Sequence, residues 1–179
     1  IEMHKSYNEF GLVLSIKADA VGDPGSRRFR LIINSVRGHS GTIWMEKEQL
    51  FNLCESIQRL IVVLEEQTKS DFLEPTDEII PSSETTDPGL EFQVARLAIG
   101  YDEKSTLFII AAYAEEAAEL EDAPAMLTLM ATLEQIEKLA DEGFDVCAAG
   151  RPKCVLCGGP MDAKGHVCPR HNGKVSHSS

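Results

Sequence analysis

The residues best equipped for chemistry in this chain are three cysteines and two histidines crowded near its end: Cys154 and Cys157, then His166, Cys168 and His171. Thiolate and imidazole are the ligands zinc takes in tetrahedral sites. Two residues between Cys154 and Cys157 let one tight turn aim both sulfurs at a single ion. Gly158 follows directly, and glycine supplies the φ > 0 conformation that such a turn tends to need. Ten residues then separate Cys157 from Cys168, enough for a short hairpin to return a second ligand pair.

Zinc wants four ligands, and two sets meet the spacing. One is Cys154, Cys157, His166 and Cys168. The other is Cys154, Cys157, Cys168 and His171, in which Cys168-x2-His171 imitates a second knuckle. Spacing alone favours His171. Either set closes the shell with protein atoms, which makes the site structural rather than catalytic. The segment has almost no large apolar residues and cannot build a core, so the ion would supply its folding energy. A redox dithiol at Cys154 and Cys157 would need a strand before it and a helix after it, and that setting is missing.

Few other residues suggest chemistry. There is no Gly-x-Ser-x-Gly, no Gly-x4-Gly-Lys-Ser/Thr and no His-Glu-x2-His. The stretch 22–28 has the glycines of a phosphate loop but no helix after it, so it reads as a hairpin turn. His39 lies in a turn and is expected to be exposed. Cys54 and Cys147 fall on apolar helical faces, where thiols are buried and inert. Five cysteines in this distribution point to a reducing cytoplasm and metal use, not to a disulfide framework.

The elements that must carry this tail follow from periodicity. Residues 10–18, 28–35 and 41–45 alternate as strands. A helix over 46–67 carries one apolar stripe through Leu50, Leu53, Cys54, Ile57, Leu60, Ile61 and Leu64. The pattern then repeats, with strands at 92–101, 106–114 and 126–130 and a helix at 133–148. Thr132 and Gln135 form a capping box for that helix, and Gly143 is its weak point. The expected fold is α+β: a duplicated β-β-β-α body packed about a pseudo-twofold axis, plus a small C-terminal zinc knuckle or ribbon. Residues 1–67 and 91–149 form the two repeats. Residues 68–90 form an acidic, Pro-rich linker, 150–173 the knuckle and 174–179 a flexible tail. The acidic stretch 114–123 reads as a solvated loop or a short helix.

Charge divides the chain unevenly. Its net charge is −12, yet residues 150–179 carry Arg151, Lys153, Lys164, Arg170 and Lys174 against Asp162 alone, a balance of +4. Residues 1–149 therefore carry −16. An acidic body repels nucleic-acid phosphates at long range. No apolar run approaches the roughly 20 residues a membrane helix needs, and no secretion signal is expected.

The tail also resembles a known signature. Gly150-Arg151-Pro152, the Cys154–Gly158 knuckle, Gly165-His166-Val167-Cys168-Pro169-Arg170 and Asn172-Gly173 are similar to the C-terminal motif of an uncharacterised bacterial family of the actinobacterial and Chloroflexi type. That motif reads GRPxCxxCGxPxDxxGHxCPRxNG. The likeness extends more loosely over the body, through residues 22–31, 45–49 and 94–101. It implies His166 rather than His171 as the fourth ligand, and it implies no activity. The expected role is a non-enzymatic cytoplasmic interaction or adaptor protein with a protein partner, more readily than an enzyme. The alternatives are a nucleic-acid- or ribonucleoprotein-associated factor using the five basic tail residues, and an enzyme with a cleft between the repeats. The stretch 28–31 with Trp44, basic and aromatic on one sheet face, is the body's only hint of the former.

Overall fold

The computed structural model describes residues 6–23, 25–67, 89–115, 123–149, 154–158 and 168. Among these, six strands and two helices follow the order β-β-β-α twice, an α+β fold. The elements are β1 (Glu9–Val21), β2 (Arg28–Ser35), β3 (Ser40–Met45), α1 (Lys47–Gln67), β4 (Leu90–Asp102), β5 (Leu107–Ala114), β6 (Leu127–Ala131) and α2 (Leu133–Ala148). β4 starts inside the stretch read as linker. Residues 68–88 and 116–122 lie outside the described residues, as does the tail after 168.

The six strands close into one barrel. Strict alternation puts Phe29, Leu31, Ile33 and Ser35 of β2 inward, and likewise Gly41, Ile43 and Met45 of β3. A period-two pattern with one buried face is what fixes these strands in register.

Closure depends on the two long strands, each of 13 residues, which change partner midway. β1 runs parallel to β6 through Leu12, then antiparallel to β2 from Val13 onward. β4 runs parallel to β3 through Gln93, then antiparallel to β5 from Val94 onward. A register shift falls at each switch, between Val13 and Ser15 and between Val94 and Arg96. Such bulges bend a strand and release its backbone groups from the ladder.

One glutamine per helix takes up the released groups. The Gln135 side-chain amide donates to the carbonyls of Val13 (2.9 Å) and Leu14 (3.5 Å). Gln49 donates to those of Val94 (3.3 Å) and Ala95 (3.0 Å). Their side-chain oxygens accept from the backbone N–H of Thr132 and Glu46, at 3.0 and 2.8 Å. Each glutamine thus caps its own helix and clamps the bulge of the opposite half.

The helices meet over a shared core that runs through the barrel. At Gly143 the side chains of α1 press directly against the α2 backbone. A Cβ there would lie 2.3 Å from Cys54 Sγ and 3.4 Å from Leu50 Cδ1. The glycine that reads as a weak point of α2 is therefore its contact point. Phe51 and Phe144 seal one side edge-to-face, with ring centroids 5.4 Å apart.

Burial, and secondarily the Cys147 thiol, push the Cys54 thiol up to about 12. The unfolded chain releases this proton near 9.0, whereas the folded chain keeps it. Stability contributed by the neutral thiol is thus complete below pH 9.0 and is lost as pH rises toward about 12, by roughly 1.4 kcal/mol per pH unit. The expected outcome is a stability difference between wild type and Cys54→Ala that shrinks steadily across this window in urea unfolding. A pH-independent difference would refute it.

Candidate metal centre

Residues 155–157 form a turn closed by the Gly158 N–H donating to the Cys154 carbonyl at 2.8 Å. Gly158 has φ of 72°, and nothing lies within 4 Å of where its Cβ would sit. Glycine is required here for backbone conformation, not for space.

The turn brings the sulfurs of Cys154, Cys157 and Cys168 within 4.8 Å of one another. Cys154 and Cys168 are 3.8 Å apart. A tetrahedron with Zn–S bonds of about 2.3 Å has S–S edges of about 3.8 Å, so the spacing fits three corners of such a shell. Cys154 and Cys168 are buried and Cys157 is half-buried. The backbone N–H of Cys157, then that of Leu156, hold the Cys154 thiol below its ordinary range, with burial opposing them. N–H groups aimed at a sulfur favour the thiolate, which is the ligating form. The geometry can hold one metal ion on three cysteines. His166 and His171, the candidates for the fourth place, lie outside the described residues. So do Arg151, Lys153, Lys164, Arg170 and Lys174.

At the tip of this turn Val155 is 98% exposed and Leu156 46% exposed. A chain buries such side chains when it can; here the turn holds them in water.

The other sequence-predicted features resolve more simply. The 22–28 segment connects β1 to β2, with the Ser26 N–H donating to the Asp23 carbonyl at 3.0 Å, and is a hairpin turn. His39 is exposed, its ring 5.7 Å from that of Phe10. Arg28 and Arg30 lie over Trp44 at 4.2 and 5.3 Å from its centroid. Asp19 accepts from Arg30 at 2.6 Å, and Glu91 accepts from the Trp44 indole N–H at 2.5 Å. The basic-aromatic face exists, but its guanidiniums already stack on the indole that a base would need. No helix of the described residues is long and apolar enough to cross a membrane.

Sequence reasoning missed the second task of Gln49 and Gln135. The matching positions of the two glutamines, each three residues into a helix start, were the available signal.

A family model described as a protein of unknown function (DUF3090) matches residues 8–168. No curated protein and no solved structure matches the chain.

Proposed function

The chain belongs to the DUF3090 family, and we propose that it is a non-enzymatic interaction protein whose C-terminal knuckle, folded by zinc, docks on a partner protein. The observation that carries this reading is the pairing of a converging thiol cluster with Val155 held out in water at its tip. An apolar side chain presented by a metal-fixed turn loses little conformational freedom on binding, which is what an interface anchor needs. In this reading zinc is bound by Cys154, Cys157, Cys168 and His166, the histidine implied by the family likeness; His171 is the competing choice. Four protein ligands leave no open coordination position, so the metal serves folding rather than catalysis. Arg151, Lys153, Lys164, Arg170 and Lys174 would favour an acidic partner surface. In this reading the protein works in a reducing cytoplasm, and the lack of a disulfide among the described cysteines supports that setting.

We also read the body as an internal duplication about a pseudo-twofold axis. Support comes from register: Ala18 pairs Leu31 and Leu31 pairs Ile43, as Ile99 pairs Ile110 and Ile110 pairs Leu129. The two bulges and the two glutamine clamps correspond in the same alignment.

Val155→Asp tests the docking role without touching a ligand. Bound proteins would be recovered from nuclease-treated native lysate with the intact chain, with Val155→Asp, and with a chain ending at Gly150. The expected outcome is unchanged zinc content in Val155→Asp together with loss of a specific protein. Identical recovery by all three chains would sink the proposal. Recovery that disappears on nuclease treatment would favour nucleic-acid association instead.

A further inference from the structure

α1 runs on past the core that anchors it. Its buried residues are Leu50, Leu53, Cys54 and Ile57, while Leu60, Ile61 and Leu64 pack half-buried against the same cluster. The helix has 21 residues against 16 in α2. Counted from Gln49 and Gln135, the third residue of each, α2 ends at the position that Val62 holds in α1. The final turn of α1 has no match in the other half.

Val62 and Val63 are 51% and 46% exposed. At about 100° per residue, Arg59, Val62, Val63 and Glu66 fall within about 100° of arc, on the side opposite the buried stripe. Earlier on that side stand Asn52, Glu55 and Ser56, all polar. The stretch 60–64 is thus apolar on both sides of the helix, a pattern that belongs to a helix covered all round. Helix propensity gives no reason for it. Valine is stiff in a helix, and lysine or glutamate would serve better in water.

Charge identifies the cover. Arg59 stands three residues before the valine pair and Glu66 three residues after it. The face therefore reads cation, apolar pair, anion, an order complementary to its own reverse. The end of α1 also lacks a cation: Glu65 and Glu66 lie in its last turn with no basic residue beside them, where the helix macrodipole already places negative charge. Arg59 touches Glu55 at 3.0 Å yet keeps 76% of its side chain exposed, so it stays accessible to a second anion.

We propose that this end of α1 docks on a second copy of the chain. The two helices cross antiparallel, valine on valine, with Arg59 of each copy against Glu66 of the partner subunit. The contact is isologous, so each interaction occurs twice. Four half-exposed valines and two surface ion pairs make a weak dimer, with a Kd on the order of 100 μM.

Sedimentation equilibrium of the full-length, metal-loaded chain tests it, over concentrations from about tenfold below to about tenfold above that Kd. About 0.15 M salt screens the repulsion between two chains of net charge −12. A monomer–dimer equilibrium is expected. Arg59→Glu and Glu66→Arg should each weaken it at least about tenfold, since each sets like charges together twice. An equimolar mixture of the two variants should associate again, because every facing pair then has opposite signs; this recovery also shows both variants to be folded. Val62→Ser with Val63→Ser should weaken association by a similar factor. A wild-type chain that stays monomeric throughout would overturn the proposal. So would single variants that associate like wild type, or a mixture that stays monomeric. Methyl contacts of Val62 or Val63 with Phe72, Leu73, Ile79 or Ile80 in a monomer would give this face to the chain's own segment and overturn it as well.

Discussion

Replacing Gly143 with valine is expected to destabilise the protein by about 3 kcal/mol, the upper end of ordinary overpacking. The first added carbon would overlap Cys54 Sγ at 2.3 Å, and the branch would press toward Leu50. Glycine is a poor helix former, so relief of its entropy would offset roughly 1 kcal/mol of strain at an unconstrained site. Here the overlap wins, because the side chains opposite, Cys54 and Leu50, are fully buried in the core. Three kcal/mol is a large share of the 5–15 that a domain of this size has in total. The mechanism is checked by repeating Gly143→Val in a Cys54→Ala background, where the obstructing sulfur is gone. Urea unfolding should show at least about 1 kcal/mol of favourable coupling between the two changes. Strict additivity would mean that the cost arises elsewhere.

Cys168→Ser should empty the metal centre. On the zinc reading, metal content measured by elemental analysis after dialysis is expected to fall from about one ion per chain to near zero, since one of the three clustered thiols is lost. Structural zinc supplies on the order of 10 kcal/mol to small knuckles, so the turn at residues 154–158 should lose its amide protection, beginning with the Gly158 N–H. The barrel should scarcely notice. Its core draws on strands and helices from Phe10 to Cys147 and includes none of the three clustered cysteines. The denaturation midpoint of the barrel should move by the equivalent of less than about 0.5 kcal/mol, as for changes outside a core. A barrel that unfolds together with the turn would show the two to be one cooperative unit. A metal content unchanged by the substitution would end the zinc reading.

Much of this architecture could be read from the residues alone. The alternation over 28–35 and the stripe from Leu50 to Leu64 are local signals, and β2 and α1 stand where those signals put them. The capping box of Thr132 and Gln135 is present. The knuckle spacing anticipated the convergence of Cys154, Cys157 and Cys168. Pairing was not readable. Each half reads as a sheet with its own helix, whereas the strands of both halves join in a single closed barrel through two parallel seams. Nothing local in residues 9–12 says that their neighbour lies at 128–130. Nor does periodicity show that a strand will change partner at Val13 or Val94, because a bulge disturbs the pattern by only one residue.

The exchange of partners within β1 and β4 has a consequence for synthesis. β1 leaves the ribosome ahead of the other five strands, yet its initial residues, Glu9–Leu12, take their strand partner from β6. Gln135, which clamps Val13 and Leu14, is made later still. An emerging first half can form its β1–β2–β3 ladder but has an open seam at both ends and no cap on its bulge. Loop closure over more than a hundred residues must precede the contacts that reward it, which makes assembly slow relative to a local hairpin. The nascent chain therefore exposes unpaired strand edges until β4 and β6 have been made, the state in which sheets join the wrong neighbour. Its vulnerable period ends only when residues 127–135 are free of the exit tunnel, so chaperone dependence should track elongation speed through that late stretch.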